Sequence, residues 1–98
     1  MVQKDDLLMS PITFLELDFL YEIGRIKQRS QHFFETLRKE MNVQVAPGDF
    51  LEVVQNAHHM SWTRDPFDRL LVAHADFLNA RLLTKDRLLR KHYSKSLW

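Results

Sequence analysis

The sequence predicts an α/β domain in which helices alternate with the strands of a small, mostly parallel sheet. Two segments begin with a polar residue followed by proline, Ser10-Pro11 and Asp65-Pro66, and apolar residues then recur at helical spacing. After the second of these helices, the short apolar run 81–84 is typical of a buried parallel strand. Strands that alternate with helices usually form a parallel sheet. Because 98 residues suffice for one small domain, we expect a single domain over residues 1–98.

The other elements follow from local capping and turn residues. Ser30 is expected to cap a second helix that ends at Met41, and Asp49, after the turn at 47–48, is expected to cap a third. In chain order, the prediction is a strand at 6–9, a helix from 11 to about 24 or 26, a helix to 41, a strand at 43–45, a helix from 50 to about 58, a helix from 66 to 78, a strand at 81–84, a short helix at 88–92 and a strand at 96–98.

Composition narrows the class of protein. The 98 residues are 45% hydrophobic and include seven Phe, which is enough for the core of one small domain. No apolar run approaches the roughly 20 residues that span a bilayer, and the first residues lack a secretory signal, so a cytoplasmic protein is expected. Because the chain has no cysteine, any metal ion needs oxygen or imidazole ligands.

Charge is weaker evidence about partners. The formal net charge of +1 does not by itself predict a polyanion partner. Basic residues are nevertheless concentrated between Arg81 and Lys95, where they either contact phosphates or form a solvated helix face.

Two carboxylates are expected at one edge of the predicted sheet. Asp68 lies in the first turn of the helix that begins at Pro66, and Asp86 follows the next strand directly. A helix that leaves this edge and a strand that returns to it bring the two acids together, and in open α/β sheets ligands bind there. Each acid also has a structural explanation, since Asp68 can stabilise its helix terminus and Asp86 can cap the following helix.

A third acid, Glu16, falls on the apolar side of the first helix. On a helical wheel it lies between Leu20 and Ile23, on the side that is expected to be buried. The other members of this side are Ile12, Leu15, Phe19 and Ile26. A buried carboxylate needs a partner, which is either a core Arg or Lys or a divalent cation. Mg²⁺ and Mn²⁺ suit oxygen ligands, so three acids from three elements predict a metal site.

Other residues suggest structural roles. His58 and His59 are expected at a helix end or on the surface, and His74 is expected in the core. Trp62 is expected to pack beneath the loop at Asp65 rather than stack on a base. The chain has no Gly-rich phosphate loop and no Ser-His-Asp arrangement, which disfavours nucleophilic catalysis by a side chain.

The acidic segments resemble a known family. Residues 64–73 (RDPFDRLLVA) with 82–86 (LLTKD) are similar to the C-terminal half of PIN-domain ribonucleases, most closely the VapC toxins of bacterial toxin–antitoxin pairs. Residues 10–17 (SPITFLEL) with 21–26 (YEIGRI) are similar to the segment of that family that bears its second acid.

The resemblance implies a fold and a chemistry. The fold is a PIN-like three-layer α/β/α sandwich, and the activity is Mg²⁺- or Mn²⁺-dependent cleavage of RNA by a type II toxin. By position in the motifs, Glu16, Asp68 and Asp86 are the second, third and fourth acids of the family, which hold the metal, with Asp65 as a neighbouring cap. Similar proteins are typically homodimers and are inhibited by a cognate antitoxin.

The chain also departs from the family pattern. Family members begin with an apolar strand that ends in an aspartate, whereas this sequence begins at the second strand, so we expect an N-terminally truncated domain without the first strand and the first metal ligand. The alternative function is therefore an inactive remnant that binds an antitoxin or associates with itself. A DNA-binding module is disfavoured, because no helix carries a concentrated basic face beside a tight turn.

Overall fold

The computed structural model describes residues 7–83 and 91–97. The chain divides into two compact units, Met1–Pro47 and Gly48–Trp98. Within the described ranges, the elements in chain order are β1 (Leu8–Met9), α1 (Pro11–Glu22), α2 (Ser30–Met41), β2 (Gln44–Val45), α3 (Phe50–Ala57), α4 (Pro66–Phe77), β3 (Leu82–Leu83) and β4 (Ser96–Leu97).

The first unit is built on a parallel pair of strands, β1 and β2, with Leu8 beside Gln44 and Met9 beside Val45. Helices α1 and α2 connect the two strands, as a parallel pairing requires. The core consists of the buried side chains of Met9, Phe34 and Val43, against which Phe14, Leu17 and Leu37 pack.

Helix α1 buries a different side from the predicted one. Phe14 and Leu17 face the core, whereas Leu15, Phe19 and Ile23, which were expected to be buried, are 57%, 49% and 51% exposed. The prediction was wrong because α1 carries large apolar side chains on all of its sides, so a helical wheel does not distinguish one buried face.

The start of α1 is as predicted, but the start of α2 is not. The Ser10 hydroxyl accepts a hydrogen bond from the Ile12 amide at 3.2 Å, and Pro11 is the first helical residue. In α2, Ser30 is the first helical residue rather than the cap, and the Asp18 carboxylate accepts its amide hydrogen bond at 2.8 Å. A carboxylate of α1 therefore supplies the cap that Ser30 was predicted to supply.

The second unit contains the helical pair α3 and α4 and the parallel strand pair β3 and β4. Asp49 caps α3 as predicted, with its carboxylate accepting from the Glu52 amide at 3.0 Å. Two buried clusters form the core, one of Val72, Leu82 and Tyr93 and one of Val53, Ala57 and Ala73.

The predicted α/β class with parallel strands is confirmed. The strands form two separate parallel pairs, and β3 and β4 occur where the sequence predicts them. Asp86 and most of the predicted helix at 88–92 lie outside the described residues. In the ranges that the structure describes, no helix has the length and apolar character needed to cross a membrane.

Candidate functional site

The beginning of α4 holds one of the predicted acids in a well-defined place. The Asp65 carboxylate accepts hydrogen bonds from the amides of Phe67 at 2.9 Å and Asp68 at 3.4 Å, and Pro66 is the first helical residue. These contacts satisfy amide donors that have no partner within the helix. Asp68 thus lies in the first turn, as predicted, and its side chain is half-buried.

The loop before α4 is fixed by hydrogen bonds to Thr63, which is buried. Its hydroxyl accepts from the Asp65 amide at 3.3 Å, and its carbonyl accepts from Arg69 Nε at 2.6 Å. The Arg69 side chain therefore reaches back from the first turn of α4 to the loop. Because both ends of the segment are tied to one buried residue, the backbone that carries Asp68 is restrained.

Trp62 lies in the same loop and has an unexpected partner. Its indole packs against the cluster of Val72, Leu82 and Tyr93, which agrees with the predicted packing role. Its ring also stacks on that of His92, with centroids 4.6 Å apart and planes inclined by only 6°. The two residues are far apart in the chain and share no motif, so the sequence offered no sign of this pair.

The strand that precedes Asp86 is anchored on its N-terminal side. Leu82 is buried, and its amide donates to the Lys95 carbonyl at 3.1 Å. The Tyr93 hydroxyl donates to the Ala80 carbonyl. Burial raises the pKa of Tyr93, and the negative charge of Asp76 raises that pKa further.

Helix α3 is hydrogen-bonded to α4. The Asn56 amide group donates to the Ala73 carbonyl at 3.1 Å and to the Asp76 carboxylate at 2.9 Å. His74 is buried, as predicted. His58 and His59 are exposed at the end of α3, also as predicted.

Glu16 belongs to the first unit. It lies in the middle of α1 and is half-buried, a setting in which a carboxylate needs compensating contacts. Two residues further along, the Asp18 carboxylate accepts a hydrogen bond from the Ser30 amide at the start of α2. The backbone hydrogen bond from Ser30 is the main cause that lowers the pKa of Asp18; desolvation opposes this effect, and the positive charge of Arg29 adds to it.

The three predicted acids are thus placed separately. Glu16 is on α1, Asp68 is on α4, and Asp86 lies outside the described residues, so their convergence stays a prediction. The ranges that the structure describes contain no group of three or more His, Asp or Glu side chains that could hold a metal ion. Glu16 and Asp68 nevertheless supply carboxylate oxygens, which are the donors that Mg²⁺ and Mn²⁺ prefer.

Comparison with known families decides the class. The family model of the PIN domain matches residues 1–95. The chain belongs to the PIN-domain family. PIN domains are typically nucleases and generally use divalent metal ions. Neither the curated proteins nor the solved structures include a significant match to the chain.

Membership of the PIN family gives the local geometry a chemical meaning. A nuclease needs acidic side chains held in fixed positions, because metal ligands that move lose affinity and orientation. The Asp65 cap, which accepts two amide hydrogen bonds, provides such restraint around Asp68. The hydrogen bonds that Thr63 accepts add to it.

Proposed function

We propose that this PIN domain is a VapC-type endoribonuclease, the toxin of a type II toxin–antitoxin pair. The reaction is the divalent-metal-dependent hydrolysis of RNA phosphodiesters. The observation that carries the proposal is the capped and restrained first turn of α4, which presents Asp68 in a chain that the PIN model matches over residues 1–95.

In this proposal Glu16, Asp68 and Asp86 would hold Mg²⁺ or Mn²⁺. An ion held there would supply Lewis-acid chemistry, namely activation of a water molecule and stabilisation of the negative charge on the phosphoryl oxygens. Asp68 fits this role because the residue is half-buried and its backbone is fixed by Asp65. Glu16 fits because it is a half-buried acidic residue on a helix that is rich in apolar side chains.

The proposed partners follow from the proposed class. The substrate is RNA, a cognate antitoxin inhibits the enzyme, and the active form is a homodimer in the cytoplasm. The exposed apolar residues Leu15 and Phe19 on α1, with Ile23 at its C-cap, support a protein partner, because surfaces of this kind usually mark interaction sites.

Removal of the Asp68 carboxylate tests the site. We expect Asp68→Asn to abolish Mg²⁺- or Mn²⁺-dependent RNA cleavage, because asparagine keeps the size of the side chain but loses the negative charge that binds the ion. Asp86→Asn and Glu16→Gln are expected to act in the same way. Cleavage of a labelled RNA, with and without the metal ion, is the measurement.

Glu52→Gln is the matched control. Glu52 is an acid in the first turn of α3, as Asp68 is in α4, and it is exposed. Cleavage by this variant should remain at the level of the natural sequence. If Asp68→Asn and Asp86→Asn cleave as fast as the natural sequence, the site assignment is wrong.

The second candidate is an inactive remnant that binds an antitoxin or associates with itself. The exposed apolar residues of α1 favour this candidate, since they need no catalytic activity. It predicts no RNA cleavage and no change of the melting temperature on addition of Mg²⁺, whereas binding of a protein partner is retained. Metal-dependent cleavage by the chain would eliminate it.

A further inference from the structure

We propose that the stacked pair Trp62 and His92 is a platform for a nucleobase of the bound RNA. The base stacks on the outer face of the His92 imidazole, beside the N-terminus of α4. This inference rests on the proposed function, because it concerns how that enzyme holds a single-stranded substrate.

The geometry of the pair suits such a platform. The two rings are nearly parallel, with an inclination of 6°, and their centroids are 4.6 Å apart. The indole is partly buried against the cluster of Val72, Leu82 and Tyr93, whereas His92 is exposed. The core therefore holds one ring in place, and that ring orients an exposed flat ring in front of it.

Packing alone does not account for His92. An exposed imidazole removes little apolar surface from water, so its contribution to the core is small. A flat aromatic surface at the protein exterior is, in contrast, what single-stranded nucleic acids use, because every base has a face that can stack.

The platform lies close to the acidic terminus of α4. Trp62 is three residues before Asp65, so even a fully extended chain would separate them by at most about 11 Å. The real separation is smaller because the loop turns at this point, with the Thr63 amide bonded to the Met60 carbonyl at 3.4 Å. A base on the platform is therefore close to the first turn of α4, which carries Asp68.

The charges beside the platform fit a nucleotide as well. Arg64 is exposed and lies in sequence between Trp62 and the Asp65 cap, and Lys91 is exposed next to His92. Basic side chains near an aromatic surface can contact phosphates while the base stacks. Such contacts position a strand without selecting its sequence.

Fluorescence of Trp62 reports binding at the neighbouring His92 ring. The test protein carries Trp98→Phe, so that Trp62 is the only tryptophan, and Asp68→Asn, so that RNA is bound without being cut. The ligand is an oligoadenylate of about ten nucleotides, within the usual range of single-strand sites. We expect quenching of Trp62 on binding, and an abasic ribose-phosphate chain of equal length should bind more weakly and quench less.

Variants of His92 identify the stacking surface. His92→Ala should weaken oligoadenylate binding about 5- to 150-fold, which corresponds to the ~1–3 kcal/mol that one aromatic contact to a base contributes. His92→Phe keeps a flat ring and should retain most of the affinity. His59→Ala, which removes another exposed histidine of the same unit, should bind like the parent.

The possible outcomes test the platform and the proposed function independently of each other. Equal affinity of His92→Ala and its parent, or equal binding of the oligoadenylate and the abasic chain, overturns the platform even if the natural sequence cuts RNA. Failure of the natural sequence to cut RNA refutes the proposed function but leaves the binding result standing. If His92→Ala does not fold, as circular dichroism would show, the abasic comparison in the parent decides. Tighter binding of the matching oligodeoxyadenylate than of the oligoadenylate would show that the platform serves DNA instead, which also overturns the proposal.

Discussion

Asp18 forms a hydrogen bond between the two helices of the first unit. Its carboxylate accepts from the Ser30 amide at 2.8 Å, and the guanidinium of Arg29 lies 4.6 Å from the centre of the Tyr21 ring. The first contact satisfies an amide donor at the α2 terminus, and the second is a cation–π interaction. Together they fix the turn between α1 and α2 from both sides.

The contact of Asp18 makes the stability of the protein depend on pH. The pKa of Asp18 is lowered in the folded state below the ordinary value of an aspartate, mainly by the Ser30 amide. A lowered folded-state pKa contributes stability that is present above the unfolded pKa and is lost as the pH falls through the folded one. We therefore expect the stability advantage of the natural sequence over Asp18→Asn to shrink as the pH falls from 6 to 3.

Urea unfolding across that pH range measures this difference. Glu22→Gln is the control, because it removes an exposed acid from the end of the same helix without touching the α2 terminus. A difference between Asp18→Asn and the natural sequence that stays constant with pH would contradict the assignment.

Two glycines with positive φ allow backbone strain and steric contact to be separated. Gly48 has φ +146°, and a Cβ atom there would lie 3.2 Å from His74 Nε2 and 3.2 Å from Phe77 Cε2. Gly24 has φ +80°, and a Cβ atom there meets nothing within 4 Å. Both alanine substitutions strain the backbone, but only the first also crowds α4.

Gly48→Ala is therefore expected to destabilise the protein more than Gly24→Ala. We expect a loss of about 1 kcal/mol for Gly24→Ala, from backbone strain. For Gly48→Ala we expect about 2–3 kcal/mol, because His74 and Phe77 must also shift. Chemical denaturation of both variants provides the comparison. Equal losses would show that the contact with α4 is without energetic consequence.

At the scale of elements, local sequence predicted the helices whose caps are local. Ser10-Pro11 and Asp65-Pro66 begin α1 and α4 as expected, because the capping group and the capped amides lie within three residues of each other. The cap of α2 was not predictable in this way, because Asp18 is 12 residues from Ser30 in the chain. Such a contact depends on how α1 and α2 pack, which no sequence window contains.

The Asp65 cap is expected to support both the helix and the site. Asp65→Ala removes the acceptor for the Phe67 and Asp68 amides and should cost about 1 kcal/mol of stability, as losses of N-caps do. Asp65→Ser keeps a capping oxygen and should cost less. Thermal and urea unfolding measure the stability, and RNA cleavage by the same variants measures the site.

The two readouts distinguish a cap from a metal ligand. If Asp65 only positions the first turn of α4, Asp65→Ser should retain much of the cleavage that Asp65→Ala loses. If Asp65→Ser is as inactive as Asp68→Asn although it is stable, Asp65 binds the ion itself.

At the scale of the whole molecule, the predicted acids come from both compact units. Glu16 belongs to Met1–Pro47, whereas Asp68 belongs to Gly48–Trp98. The sequence was sufficient to predict the local place of Asp68, because its position depends on one cap and one proline. The convergence of three acids depends instead on contacts between distant segments, which hydrophobic periodicity and capping signals do not encode. For the same reason the stack of Trp62 on His92 was missed.

The proposed homodimer requires an apolar surface, and α1 offers one. Leu15 and Phe19 are spaced four residues apart and therefore lie along one side of the helix, and Ile23 follows at its C-cap; about half of each of the three residues is exposed. We expect Phe19→Glu to weaken self-association by at least about 10-fold, because burial of each such side chain contributes ~1.5–3 kcal/mol, the dimer has two copies and a charge cannot replace them. Sedimentation equilibrium over a range of protein concentrations measures this shift.

Phe50→Glu, an equal change at an exposed residue of α3, should leave the dimer intact. If Phe50→Glu dissociates the dimer and Phe19→Glu does not, the subunits associate through α3, and the exposed side of α1 is left for another partner.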